Sequence, residues 1–545
     1  MAEVGRRLAK HDVRPFLLLI VLYFLQGIPV GLAFGTIPFL LKSTIKGSTF
    51  TSVGLFSMAT YPYSLKILWS PIVDSVYNVK IGRRRSWIIP VQLVSGLALW
   101  LLGYCVSKDL VFAGVDAAYR EGSIGVADAK NTNIKVLTIC FLILVFLCAT
   151  QDIAVDGWAL EILSQQSLSF ASTAQTVGLN MGYFLSFTVF LAFNSSDFMN
   201  RYVRSVPKNY GIVSLGSYLK LSGITYVLVT IFIILKTKET PDFDSVLPGL
   251  AKKSDEKKPQ LIEYAVDLTG TSKTTTKNVY RAFFKVLKLK PVQSLIFIHF
   301  VSKFAFQCND AATNLKLLER GLKREDLAIT VLIDFPFELI FGYYVAKWSS
   351  ETWDRKPTSS KSYSRFFVGE RGPLTPWLWG YLGRLAAAMM GSYLVWAFPE
   401  TKEIPSYYFM MVILQHLVSS FMATVQFVGI AAFHNKIADP MIGGTYLTLL
   451  NTISNMGGTW PRLLIMSMID FFTKTECFMD AERAFHFTAT RSSCEKDGGK
   501  LVNTRDGYFM TNALCITMGL CLYFGYLKTK GQQLQRLPLT SWRCE

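Results

Sequence analysis

The feature of this sequence that most constrains its fold is a set of long apolar stretches without a charged residue. A helix needs about 20 consecutive apolar residues to cross the hydrocarbon core of a bilayer. Six stretches reach this length without any Asp, Glu, Lys or Arg, so we predict an integral membrane protein. They are residues 16–41, 87–107, 173–193, 404–433, 440–460 and 508–527.

Six further apolar stretches carry one or two charged residues and complete a set of twelve predicted membrane helices. An open sheet leaves backbone groups without partners in lipid, whereas a helix satisfies its own. We therefore predict an all-α integral membrane protein with twelve transmembrane helices. The six charged stretches are residues 51–76, 136–160, 211–235, 291–312, 327–346 and 373–398.

The composition supports this class and explains the net charge. The 545-residue chain is 51% hydrophobic and 17% charged, against about 25% charged residues in soluble domains. A net charge of +18 in a soluble protein would suggest binding to nucleic acid. Here most Lys and Arg lie in predicted loops and tails, where topology and anionic lipid headgroups favour them. The predicted partner is the lipid bilayer and not nucleic acid.

The distribution of positive charge predicts the orientation. Lys and Arg concentrate on the cytosolic side of membrane proteins. Three arginines, residues 83–85, follow the second predicted helix, and residues 236–290 are rich in lysine. We expect these loops and both termini to be cytosolic, and residues 471–506 to form a loop on the opposite side. The chain then divides into an N-terminal six-helix half (1–235), a cytosolic linker (236–290) and a C-terminal six-helix half (291–545).

Three short matches indicate that the two halves are repeats. The separation along the chain is the same for the three matched pairs to within one residue, and each pair falls on equivalent helices. Parallel six-helix repeats indicate the major facilitator architecture, in which substrate binds near mid-membrane between halves that rock. The matches are 61–65 (YPYSL) with 335–339 (FPFEL), 149–150 (AT) with 423–424 (AT), and 180–182 (NMG) with 455–457 (NMG).

The joint between the second and third helices resembles the major facilitator signature G-x-x-x-D-x-x-G-R-[RK]. Asp74, Gly82 and the arginines after it match this signature, while Ser70 stands in place of the first glycine and the gap before Gly82 is longer. The resemblance implies a structural latch that holds the carrier closed toward one side. The residues that it assigns to this latch are Asp74, Arg83, Arg84 and Arg85.

Nearly the whole chain, apart from the tails and the linker, resembles the acetyl-coenzyme A transporters of the endoplasmic reticulum membrane. The resemblance is carried by residues 25–32 (LQGIPVGL), 62–74 (PYSLKILWSPIVD), 82–87 (GRRRSW) and 149–159 (ATQDIAVDGWA), and it extends to the polar loop 471–506. It implies import of acetyl-CoA from the cytosol into the lumen. A more distant similarity, in the first, second and fourth helices, is to bacterial muropeptide permeases.

Acetyl-CoA requires cations for its phosphates, an aromatic slot for adenine and a narrow groove for pantetheine. Lys66 shares a helix face with Tyr63 and Ser70, and it has no counterpart in the repeat, where Ile340 stands. For each intramembrane cation the alternative is a structural ion pair. His299 and His416 are weaker cationic candidates. The predicted substrate-binding residues are Lys66, Tyr63, Gln26, Gln151, Asn180, Lys303, Asn451, Asn455 and Arg462.

Two pairs of carboxylates are spaced four residues apart on predicted helices. Asp334 and Glu338 would repel each other unless Lys303 or Arg384 neutralises them or one of them is protonated. Proton coupling and a paired structural role are both open, and the paired role is favoured. Asp152 and Asp156 lie near the cytosolic end of the fourth helix and are expected to form gating salt bridges. Arg384 is expected to be a structural ion-pair residue.

The main alternative from another class is a membrane acyltransferase. His434 and Asp439 have the spacing H-x-x-x-x-D of some lipid acyltransferases, but no accompanying motif is present. The sequence has no G-x-S-x-G, Walker or H-E-x-x-H motif and no C-x-x-C pair. We therefore predict no enzyme, no cofactor and no metal site. A carrier for another anionic or muropeptide-like solute, a receptor built on this fold, and a homodimer remain open alternatives.

Cys477 and Cys494 are predicted to form a disulfide. They are the one cysteine pair within a single predicted lumenal loop, and the lumen is oxidising. Closing a loop of this size would stabilise the protein by ~3 kcal/mol in the chain-entropy model. Peptide mapping under non-reducing conditions should recover the two cysteines in one linked species. Recovery of both as free thiols would contradict the pairing.

Overall fold

Helices account for most of the chain that the structure describes, and they follow the twelve predicted stretches in order. The structure is a computed structural model. It describes residues 10–46, 49–78, 81–116, 127–128, 133–164, 170–237, 239, 280–281, 284–322, 326–327, 329–330, 333–334, 336–337, 341, 367–368, 372–399, 404–437, 443–478 and 500–543.

The N-terminal half contains helices α1 to α6, of which α1, α2 and α5 are divided into several segments. Helix α1 is Lys10–Ser43, α3 is Arg85–Ser107, α4 is Ile134–Ile162 and α6 is Leu215–Lys236. Helix α2 consists of Phe50–Ser57, Tyr61–Leu65 and Ser70–Ser75, joined by the 3-10 turns Met58–Thr60 and Lys66–Leu68. Helix α5 consists of Phe170–Phe184, a π-helical segment Leu185–Val189 and Phe190–Asn194.

The C-terminal half contains helices α7 to α12. Helix α7 consists of Lys290–Ser302, the 3-10 turn Lys303–Phe306 and Gln307–Arg320, and α8 comprises the helical residues described between 326 and 341. Helix α9 is Thr375–Trp396 and α10 is Ser406–Ile437. Helix α11 consists of Gly443–Thr459 and Pro461–Phe472, and α12 consists of Gly507–Leu522, the π-helical segment Tyr523–Leu527 and Lys528–Arg536.

Several predicted stretches were too short, among them those of α7, α11 and α12, the last of which runs to Arg536 and not to residue 527. Helix α7 runs to Arg320 and not to residue 312, and Gly321 ends it in the left-handed conformation (φ 118°). Helix α11 continues past residue 460 because Pro461 takes the first position of a new helical segment, where a missing N–H costs nothing. Seven helices in the described part of the chain are long and apolar enough to cross a membrane.

Four short strands in the described part of the chain lie outside the membrane helices. Strand β1 (Ile45–Lys46) pairs in parallel with β2 (Ala127–Asp128). Strand β3 (Lys474–Phe478) pairs antiparallel with β4 (Lys500–Arg505), at the two ends of the predicted loop 471–506. Cys477 belongs to β3, whereas Cys494 lies outside the described residues.

Glycines allow the closest approach between helices of the N-terminal half. A Cβ added to Gly182 on α5 would lie 2.2 Å from the backbone oxygen of Phe24 on α1. A Cβ on Gly223 of α6 would lie 2.5 Å from the oxygen of Gly96 on α3. Both distances are too short for any side chain, so these pairs of helices pack backbone against backbone.

The two halves contact each other along α2 and α11. We call the end of the bundle where α1 begins and α12 ends the termini face, and the other end the opposite face. Ser64 and Thr459 share a hydrogen bond of 2.8 Å in the middle of the bundle. At the opposite face the Asp470 carboxylate on α11 accepts hydrogen bonds from the backbone N–H groups of Phe50 and Thr51 at the start of α2.

Candidate functional site: a cavity between the halves

A cavity of about 280 Å³ lies between the two halves, on the side of mid-membrane nearer the opposite face. Helices α1 and α5 form one wall, and α7, α8, α10 and α11 form the other. Among the described residues, its lining consists of Phe34, Gly35, Pro38, Phe39, Asn180, Tyr183, Phe184, Phe187, Asp310, Ala311, Asn314, Leu315, Leu327, Asp334, His416 and Arg462.

The wall from the N-terminal half is aromatic, and two π-helical segments shape it. Leu32–Thr36 in α1 and Leu185–Val189 in α5 each insert a wider turn at the cavity. The Thr36 hydroxyl donates to the backbone oxygen of Ser186 (2.6 Å), which ties the two segments together. Phe187 then packs edge-on against Phe39, with 6.3 Å between ring centroids. Such π-helical turns are frequent at functional sites because they turn side chains out of the regular register.

The wall from the C-terminal half carries the charges. Arg384 on α9 forms an ion pair with Asp310 on α7, donates to Gln426 Oε1 (2.8 Å) and lies 3.6 Å over the ring of Phe306. His416 Nε2 on α10 lies 3.4 Å from Asp334 Oδ2 on α8. Arg384 therefore neutralises Asp310, which reaches the cavity, while Asp334 is paired with a histidine.

Arg462 on α11 lines the cavity and has no hydrogen-bond or ion-pair partner among the described residues. Its Nε atom is buried, and its side chain forms no hydrogen bond or ion pair with any of the described residues. Arg462 as a whole is half-buried, and a buried N–H group without an acceptor is costly in a low-dielectric site. This cost is recovered when an anion enters the cavity, so the arrangement is typical of an anion-binding site.

Lys66 lies in a separate cluster within the N-terminal half. It forms an ion pair with the fully buried Asp152, and its Nζ atom is 3.8 Å from Asp156 Oδ2. Asp156 also accepts hydrogen bonds from Tyr23 Oη (2.7 Å) and Gln175 Nε2 (3.0 Å). The cluster thus joins α1, α2, α4 and α5. Lys66 was predicted to bind either the substrate or a structural ion-pair partner. In this conformation it forms the ion pair, and it does not line the cavity.

The other predicted substrate-binding residues are distributed over several environments. Asn180 and Arg462 line the cavity. The ring of Tyr63 lies 5.3 Å from Lys66 Nζ, Gln26 is buried, and Gln151 donates to the oxygen of Leu22 (3.4 Å). Lys303 donates to the oxygen of Ser454 (2.7 Å), and the side chain of Asn451 contacts His434 (3.0 Å). Asn455 is half-buried on α11.

The structure shows the surroundings of both predicted carboxylate pairs. For Asp334, neutralisation by Lys303 or Arg384 and protonation of one carboxylate were the open alternatives. In this structure Arg384 contacts Phe306, Gln426 and Asp310, and Asp334 lies beside His416. Asp152 and Asp156 lie beside Lys66 of the same half, and their gating role stays a prediction. Glu338 and the side chain of Asp74 lie outside the described residues.

The arginine cluster at the termini face pairs with residues that the sequence pattern did not single out. Arg84 Nε donates to Glu161 Oε1 (2.9 Å), and the Glu239 carboxylate accepts from the backbone N–H groups of Arg84 and Arg85. Gly157 makes the approach of Arg84 to α4 feasible, since a Cβ there would lie 2.3 Å from the guanidinium carbon. The Arg85 side chain donates to backbone oxygens at the end of α6. Arg83 is half-buried beside them.

His434, the histidine of the H-x-x-x-x-D match, is packed inside the C-terminal half. Its Nε2 lies 2.9 Å from Nε2 of His299, and its Nδ1 lies 3.0 Å from the Asn451 side-chain oxygen. Both histidines are about 1% exposed. A ring held in this way is not available as a general base, and Asp439 lies outside the described residues.

Sequence comparison shows one family and a set of close relatives. A family model described as "Acetyl-coenzyme A transporter 1" matches residues 15–544. The chain is 58% identical over 552 residues to the "Uncharacterized membrane protein YBR220C" of Saccharomyces cerevisiae, with 98% of each chain covered. The "Anhydromuropeptide permease" of Escherichia coli K12 is 23% identical over 169 residues, which are 31% of this chain and 29% of the permease.

Structural comparison confirms the predicted major facilitator fold. A bacterial homologue of the human lysosomal transporter Spinster, solved in an inward-facing and unoccupied conformation, superposes with a TM-score of 0.57. It covers 97% of this chain and 99% of its own, at 13% sequence identity. At this identity the likeness shows the fold alone.

Proposed function

The chain belongs to the acetyl-coenzyme A transporter family, and we propose that it carries acetyl-CoA from the cytosol into the lumen of the endoplasmic reticulum. It is a multi-pass membrane transporter and not an enzyme. In this proposal the substrate binds in the cavity between the halves, and the halves rock around it to expose it to each side in turn.

The single observation that carries the proposal is the position of Arg462, which has no hydrogen-bond partner among the described residues, opposite an aromatic wall. A planar guanidinium recognises phosphate oxygens through two parallel hydrogen bonds. Tyr183, Phe184 and Phe187 offer flat faces to an adenine ring, and Asn180 beside them offers a donor and an acceptor. The cavity thus combines the two groups that a nucleotide-bearing anion requires, on opposite walls.

Contacts at the opposite face support entry from the termini face. Lys42 on α1 lies 3.6 Å from Glu319 on α7, and Asp470 on α11 caps the start of α2. These contacts hold the two halves together at the opposite face. In our proposal they are broken when the halves rock and the substrate leaves.

Uptake into liposomes that hold the purified protein tests the proposed substrate. Labelled acetyl-CoA, malonyl-CoA, free CoA, ATP and an anhydromuropeptide would be compared at equal concentration, with empty liposomes as the control. We expect saturable uptake of acetyl-CoA that excess unlabelled acetyl-CoA abolishes. Uptake of the muropeptide in place of acetyl-CoA would assign the chain to the alternative solute class.

The proposed orientation places both termini and residues 236–290 in the cytosol. The lysine content of this linker is the basis, because such charge is retained on the cytosolic side. Protease added outside sealed microsomes should therefore cleave within the linker and leave two membrane-bound halves. A linker protected until detergent is added would reverse the orientation.

A further inference from the structure

The cavity contains a titratable pair that the proposed substrate site does not yet use. His416 Nε2 and Asp334 Oδ2 are 3.4 Å apart, and both residues line the same space as Arg462. The His416 side chain is 23% exposed and that of Asp334 is 12% exposed, so the pair is shielded but reachable from the cavity. Asp334 Oδ1 is buried and has no hydrogen-bond partner among the described residues.

Charged side chains on several helices of the described chain surround this pair. Helix α7 contributes Asp310, α8 contributes Asp334, α9 contributes Arg384 as the partner of Asp310, and α11 contributes Arg462. Lys303 on α7 donates to the oxygen of Ser454 and, like Arg384, lies outside the lining. Glu338, four residues after Asp334 in the sequence, lies outside the described residues. The wall from α1 and α5 contributes aromatic rings and Asn180.

An anion that carries several negative charges binds more tightly where positive charge is added to its site. Histidine is the side chain that gains its charge between about pH 5 and pH 8. One proton taken from water by the His416 imidazole adds one positive charge to the cavity, and Asp334 keeps the imidazolium paired. The same proton returns to water in the cavity when the anion has left.

We propose that His416, held by Asp334, is a proton-binding site whose occupation promotes anion binding in the cavity, so that the anion and a proton are carried together. The inference rests on the proposed function, since it assumes that the anion binds beside Arg462. Linkage is reciprocal: if protonation strengthens anion binding, then anion binding must draw a proton from solution.

The experiment measures acetyl-CoA binding to the purified full-length protein by calorimetry from about pH 6 to pH 8, where histidine titrates. Buffers of different ionisation enthalpy report the protons taken up. For the wild type we expect affinity to fall by up to about tenfold per pH unit as the pH rises across this range, down to a plateau of weaker binding, with proton uptake on binding. His416→Gln should bind at every pH with the weaker affinity of the wild type at high pH. The phosphates of the free ligand titrate identically in the two experiments, so the variant supplies that baseline.

A second substitution serves as the matched control. His11, at the start of α1, has a side chain that is 70% exposed, and His11→Gln should keep the pH dependence of the wild type. Equal pH dependence in the wild type and His416→Gln would overturn the proton site while leaving acetyl-CoA as the ligand. Absence of acetyl-CoA binding at every pH, by protein that is monodisperse, would overturn the proposed function and this inference with it.

Discussion

Replacing Arg462 by alanine should weaken acetyl-CoA binding by roughly 30-fold or more while the protein remains folded. Loss of one member of a buried, hydrogen-bonded charge pair costs about 2–5 kcal/mol of binding free energy. The folded state should lose little stability. The side chain of Arg462 has no hydrogen-bond partner among the described residues, so its removal leaves none of them without a partner. Arg462→Lys should recover part of the affinity, since the charge survives but the planar fork is lost.

The measurement compares acetyl-CoA binding and uptake with the thermal unfolding temperature of the same detergent preparation. Arg14→Ala is a suitable control, since Arg14 is exposed at the start of α1 and far from the cavity along that helix. A binding defect without a change in unfolding temperature is expected for Arg462→Ala alone. Unchanged affinity in this variant would remove Arg462 from the substrate site.

The class of fold could be predicted from local properties of the sequence. Each membrane helix could be predicted from the length and lack of charge of a single stretch of sequence. The internal repeats then indicated that the two halves have the same architecture. Helix ends were less predictable at residues such as proline, which can either end a helix or occupy its first position. One helical segment ends at Thr459, and Pro461 begins the next. The apolar pattern therefore predicted the end of the helix here, although α11 continues to Phe472.

The site was less predictable, because it depends on which distant helices meet. Lys66 and Asp152 are 86 residues apart, and no helical periodicity relates them. The wider turns at Leu32–Thr36 and Leu185–Val189 also change which residues face the cavity, so Phe34 and Phe187 could not be placed there by counting. Asp310 carried a usable signal, since a charge within an apolar stretch rarely faces lipid.

The second prediction concerns the ion pair between Lys66 and Asp152, for which Lys66→Met should destabilise the protein strongly. Removing one member of a buried ion pair costs about 3–5 kcal/mol, because the other charge stays buried without compensation. Here two carboxylates would remain, Asp152 with no exposed surface and Asp156 one turn away on α4. We expect low yield, aggregation in detergent and a lowered unfolding temperature.

The double variant Lys66→Met with Asp152→Asn separates this role from contact with a substrate phosphate. If pairing is the task of the lysine, removing both charges should restore most of the stability and much of the uptake, since neutral replacement of a buried pair is often tolerated. If Lys66 instead binds phosphate when the carrier changes conformation, the double variant will be stable and still unable to transport. A stable, monodisperse Lys66→Met protein that lacks uptake would likewise contradict the structural role, and it would return Lys66 to the substrate site beside Tyr63.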